Sequence, residues 1–192
     1  MAISRLTQTT LQNAFQKFNT VWDGRSAVGG MDALGSFIVP SGGVSTLTFS
    51  SIPATYTHLQ IRGFAKVGTA ANMRFKFNSD AGTTTYSYHY LYGDGATPTS
   101  GNGTGTGSFG PGYVGYISSN AQFGAFVIDV LDYTNTSKNK TVRSLLGVDA
   151  NGSGNVMLSS SVWLNTAAVS TLEIYAAYNF AEYSSFSLYG IK

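Results

Sequence analysis

The chain has 192 residues, enough for one sizeable domain with or without an appendage, and only 10% of them are charged. A formal net charge of +2 with no Lys/Arg cluster leaves no nucleic-acid footprint, and a hydrophobic share of 43% excludes disorder by composition. The absence of cysteine excludes disulfides, zinc-thiolate sites and thiol nucleophiles.

The start, Met1-Ala2-Ile3-Ser4-Arg5-Leu6, lacks the basic region and apolar run of a secretion signal. No stretch is long enough to span a bilayer, so synthesis in a cytoplasm and no membrane partner are expected. Leu6, Leu11, Phe15, Phe18 and Trp22 recur at roughly helical steps, with Gln12, Asn13, Gln16, Lys17 and Asn19 between them. That spacing predicts a short amphipathic helix with Thr9 or Thr10 as its cap. So short a helix is marginal alone, and its stripe must dock on its own β body, on a partner subunit, or on copies of itself. Asp23-Gly24-Arg25-Ser26-Ala27-Val28-Gly29-Gly30 has the composition of a tether, so residues 1–35 are read as an anchor and linker.

From Ser36 to Lys192 the pattern changes to period two. Strands are predicted over Phe37–Val39, Val44–Phe49, His58–Val67, Met73–Asn78, Tyr86–Tyr92 and Tyr113–Ile117. They continue over Phe123–Tyr133, Thr141–Val148, Val156–Leu164, Thr171–Tyr178 and Ser185–Ile191, with turn clusters between them. Met73, Phe75 and Phe77 share one face opposite Arg74, Lys76 and Asn78. Short alternating strands without crossover helices predict an all-β fold, an antiparallel β-sandwich of jelly-roll-like type. Gly93 to Gly112, rich in glycine with Phe109 as its one large apolar residue, reads as a long surface loop.

Catalytic and metal motifs fail on their chemistry. Gly105-Thr-Gly107-Ser-Phe-Gly110 has the glycine spacing of a dinucleotide loop, but a strand pattern follows where a helix is required. Asp149-Ala150-Asn151-Gly152-Ser153-Gly154 resembles the start of a calcium loop, but Ser160 stands where a bidentate carboxylate is needed, and Asn-Gly predicts a hairpin turn. His58 and His89 are the only histidines, both in predicted strands, and no nucleophile elbow accompanies them. Asp129 and Asp132, the closest acids in a strand, point to opposite faces. No catalytic residue, cofactor or metal is expected. Tyr86, Tyr88, Tyr90 and Tyr92 share one face, which suits a core ladder, a subunit interface or a platform for sugar rings.

Ser51-Ile52-Pro53-Ala54-Thr55-Tyr56-Thr57-His58-Leu59-Gln60-Ile61-Arg62 resembles a phrase of tailed-bacteriophage structural proteins, an Ile-Pro-x-x-Tyr-x-x-Leu turn leading into a strand. The Asn78-Ser79-Asp80 turn, the Tyr88–Gly95 stretch and the terminal Phe186-Ser187-Leu188-Tyr189-Gly190-Ile191 are similar to the same group. The resemblance covers most of the chain from Ser36 onward and leaves out the N-terminal segment. It implies a non-enzymatic virion protein with a β-sandwich head, a capsid decoration or short fibre subunit, often trimeric, whose partners are other virion proteins. A carbohydrate-binding host-recognition head is the alternative, and a glycan-degrading enzyme ranks last.

Overall fold

The computed structural model describes residues 30–104, 113–117 and 122–192. The predicted helix with Leu6, Leu11, Phe15, Phe18 and Trp22, the spaced glycines Gly105 to Gly110, and most of the tether lie outside the described residues. A compact unit spans Ala33–Lys192.

The described residues form strands and no helix. In chain order the strands are β1 (Met31–Ile38), β2 (Val44–Phe49), β3 (His58–Ala65), β4 (Ala71–Phe77), β5 (Tyr86–Gly93) and β6 (Pro98–Thr104). They continue with β7 (Tyr113–Ile117), β8 (Gly124–Leu131), β9 (Lys140–Asp149), β10 (Gly154–Trp163), β11 (Leu172–Phe180) and β12 (Ser185–Ile191). They make two antiparallel sheets, one ordered β1-β12-β3-β8-β9-β10-β5-β6 and the other β2-β11-β4-β7. The pairings nest: β1 with β12, β2 with β11, β3 with β8, β4 with β7 and β5 with β6, alternating between the two sheets. The hairpin β9–β10 is inserted between β8 and β5.

Two sequence expectations change. A strand begins at Met31, inside the segment read as linker, because Leu34 and Phe37 pack against the core at a three-residue step that gives no period of two. The stretch read as one loop contains β6, which pairs residue for residue with β5.

Period two places one face of each strand inward. Met73, Phe75 and Phe77 of β4, Leu59 and Ile61 of β3, and Phe186 and Leu188 of β12 are all buried in one core. The faces of the two sheets meet there in a sandwich-like arrangement. Phe77 lies 5.4 Å from Trp163 and Phe75 5.7 Å from Tyr86, each pair joining one sheet to the other. Burying each such side chain stabilises the fold by roughly 2–3 kcal/mol. β9 and β10 break the binary pattern, since Ser144, Ser159 and Ser161 are buried. Ser159 Oγ donates to the Val114 carbonyl of β7 at 2.6 Å, and Ser144 Oγ donates to the same oxygen, so these serines fasten the edge of the smaller sheet.

Two carboxylates clamp the rim. Asp80 accepts from Trp163 Nε1 at 2.7 Å and from the Gly82 amide at 2.8 Å. Burial raises its pKa, but these bonds and one from Thr85 together hold it below the usual carboxylate range. Glu173 is also held low, chiefly by Lys76 at 2.9 Å, with burial opposing and Ser79 adding a further bond. Both groups therefore bind protons less readily folded than unfolded. Their stabilisation is complete above the unfolded carboxylate pKa and is lost as pH falls through the lower folded values. Melting temperature is expected to stay level above about pH 5 and to fall below about pH 4. Asp80→Asn should flatten that fall in calorimetric scans; an unchanged acid limb would count against the clamp.

Candidate functional site

Tyr86, Tyr88, Tyr90 and Tyr92 do share a face, and it is the inner one. Tyr86 and Tyr88 are buried, which corrects their candidacy as a glycan platform or subunit interface. The Tyr86 hydroxyl accepts from the Phe77 amide at 3.1 Å and donates to the Asp80 carbonyl at 3.3 Å, and burial pushes its pKa up. The ring stacks on Trp163 at 6.4 Å. Tyr90 and Tyr92 are half-buried against the same core. A tyrosine satisfies its hydroxyl inside as readily as outside, so the pattern alone left the face open.

The rings explain β6. A Cβ on Gly101 would stand 2.6 Å from the Tyr90 ring, and one on Gly103 would stand 2.4 Å from the Tyr88 hydroxyl. The tyrosines of β5 thus supply the inward surface that the glycines of β6 lack, an aromatic cover for glycine across a strand pair.

The opposite, outer face of β6, β5, β10 and β9 is the candidate site. Cross-strand register aligns Ser100, Leu91, Leu158, Leu145 and Val127 in one row. Leu91 is 60% exposed, Leu158 44% and Leu145 53%, and Val156 on the next row is 60% exposed. Three leucines on adjacent strands make a contiguous apolar surface, where isolated exposed leucines would need no explanation. The neighbouring row carries Asn102, His89, Ser160, Arg143, Asp129 and Gln60. Arg143 Nη2 holds Asp129 at 3.0 Å, and Gln60 Nε2 donates to the same carboxylate at 2.6 Å. A groove of about 440 Å³ lies between the rows, with Leu91 and Leu158 on one side and His89, Asn102 and Ser160 on the other. Arg143, paired with Asp129, is the one permanently charged residue of its lining, and the rest suits an uncharged polar-apolar surface.

The remaining candidates are engaged elsewhere. His58 Nδ1 accepts the Asp132 amide N–H at 2.9 Å. A triad histidine would instead donate from this nitrogen to a carboxylate, so His58 has the wrong polarity for that role. Asp132 pairs with Lys138 at 2.9 Å, and that hydrogen bond is the main cause holding its carboxyl low. Asp94 accepts the amides of Ala96 and Thr97, closing the turn before β6. Asp149 accepts the Asn151 amide at 2.8 Å, with Asn151 at φ 56 and Gly152 at φ 100, the positive dihedrals of a two-residue hairpin turn. No group of three His, Cys, Asp or Glu side chains is placed to hold a metal among the described residues. The outer leucine row escaped sequence reasoning because β10 alternates apolar residues on both faces, with serines inside. Compared with family models, curated proteins and solved structures, the chain finds no match.

Proposed function

We propose that this chain is a non-catalytic structural component of a tailed-bacteriophage particle, a capsid decoration or short fibre subunit. It is made in the host cytoplasm, attaches to other virion proteins through its N-terminal segment and meets neighbours through the β unit. The observation that carries the assembly role is the exposed row Leu91, Leu158 and Leu145 on an outer face with little charge. The virion setting rests on the resemblance, whose two main phrases are neighbours in space. β3 pairs with β12, Thr57 N donates to the Ile191 carbonyl at 2.8 Å, and Gly190 sits against the Tyr56 ring. We also infer that the nested pairing is a jelly-roll winding, an architecture that builds both viral capsid and lectin domains. That association is an analogy of fold.

Mass spectrometry and imaging of purified particles should find the chain on their surface. Deleting residues 1–30 should leave a folded β unit that no longer joins particles, and Leu158→Glu should lower occupancy at least about tenfold. Full occupancy by the truncated chain would remove the anchor role, and particles lacking the chain would remove the virion setting. The second reading, a carbohydrate-binding head of a tail fibre, draws on the groove beside His89, Asn102 and Ser160. Saturable binding on a glycan array, lost in Asn102→Ala, would favour it over the assembly role.

A further inference from the structure

The described sheets have four edge strands, and three carry features that discourage pairing. β7 is five residues long, and its register with β4 breaks between Met73 and Arg74. β2 loses register with β11 between Tyr175 and Phe180, and β1 carries the Asp32 carboxylate. β6 differs. Its seven residues pair with β5 in unbroken register from Ser87↔Thr104 to Gly93↔Pro98, it has no ionisable side chain, and Pro98 at its start is its only blocking residue. The Tyr88 and Tyr90 rings cover its glycines from within, so the strand is supported on one face, and among the described strands none pairs along its outer side.

We propose that the outer side of β6 pairs antiparallel with β6 of a second copy of this chain, joining two eight-stranded sheets into one. Charge selects this occupant. β5, β6 and β10 contain no Asp, Glu, Lys or Arg, so a second copy brings no like charges opposite one another, and a charged foreign strand finds no complement. The exposed side chains Ser100, Asn102 and Thr104 are small and hydrogen-bonding, and meet their own kind across the seam. Symmetry selects it too. An edge paired with itself about a twofold axis is consumed and the assembly closes, whereas an added foreign strand would present a new open edge. The contact is independent of the virion setting, and it joins heads in pairs whatever the symmetry of a larger assembly.

The full chain has no cysteine, so single substitutions report the seam cleanly. Sedimentation of the wild type at micromolar concentration should give twice 20.3 kDa. Among Ser100→Cys, Asn102→Cys and Thr104→Cys, the position nearest the twofold axis should oxidise to a covalent dimer well ahead of the other two. Ser100→Lys with Asn102→Lys should weaken association at least about tenfold, while its melting temperature matches that of the wild type at dilutions where both are monomeric. Hydrogen exchange at β6 should slow with protein concentration. A monomer overturns the proposal, including one whose β6 amides already exchange slowly at every concentration. An oligomer of any size that is indifferent to the lysine pair overturns it as well.

Discussion

Gly190→Ala should destabilise the β unit by about 2–3 kcal/mol, the cost of overpacking a site that cannot expand. A Cβ at this position would lie 2.4 Å from Tyr56 Cγ, with both Cδ atoms within 2.7 Å. The ring has little room to withdraw. It packs against the core from the turn between β2 and β3, and the adjacent Thr57 amide is tied to the Ile191 carbonyl. Removing the ring removes the conflict. In a Tyr56→Ala background the same glycine substitution should cost less than about 0.5 kcal/mol, a coupling of roughly 2 kcal/mol between neighbours. Urea denaturation of the wild type, both single variants and the double variant measures that coupling directly. Additive losses would mean that Gly190 is required for some reason other than the ring. The outcome also bears on the resemblance, because Tyr56 and Gly190 come from its two main phrases.

Much of this fold was legible because strand faces alternate and buried faces are apolar. β2, β7 and β12 have the predicted bounds, and the other predicted strands, Phe37–Val39 apart, shift by no more than about two residues. β6 was not legible because its strand character is supplied by a neighbour. Gly101 and Gly103 carry no pattern of their own until the Tyr90 and Tyr88 rings lie over them. The candidate site was hidden for a related reason. In β10 the inward residues include Ser159 and Ser161 while Val156 and Leu158 face out, so hydrophobicity alone assigns the faces wrongly. Ser159 faces inward because the Val114 carbonyl of β7 needs a donor, and that partner is distant in sequence. Alternation puts the four tyrosines on one face, but the direction of that face depends on partners outside the strand, such as the Phe77 amide.

Lys140→Met should cost about 3 kcal/mol, although methionine fills nearly the same volume and lysine is the expensive residue to bury. Lys140 is fully buried, and its ammonium donates to the carbonyls of Asn135 at 2.5 Å, Lys138 at 2.8 Å and Thr166 at 3.0 Å. The first two lie in the turn between β8 and β9, and the third lies in the segment after β10, so one side chain ties two loops together. Burial pushes its pKa below the usual lysine range, with the Asp132 carboxylate opposing. Methionine would end that desolvation cost and gain roughly 1–2 kcal/mol of apolar transfer. Against this, three carbonyls lose their shared donor, at roughly 1–3 kcal/mol for each that stays dry. The second effect is larger, and in a chain of this size it corresponds to a fall of about 6–12 °C in melting temperature. Lys138→Met is the matched control, because Lys138 is exposed and its pairing with Asp132 is a surface contact of small effect. If both variants melt together, water replaces the ammonium at no cost and the loops are held by their other contacts. If Lys140→Met alone melts early, the buried charge is a structural part of this rim, doing with one side chain what backbone pairing does elsewhere in the sheets.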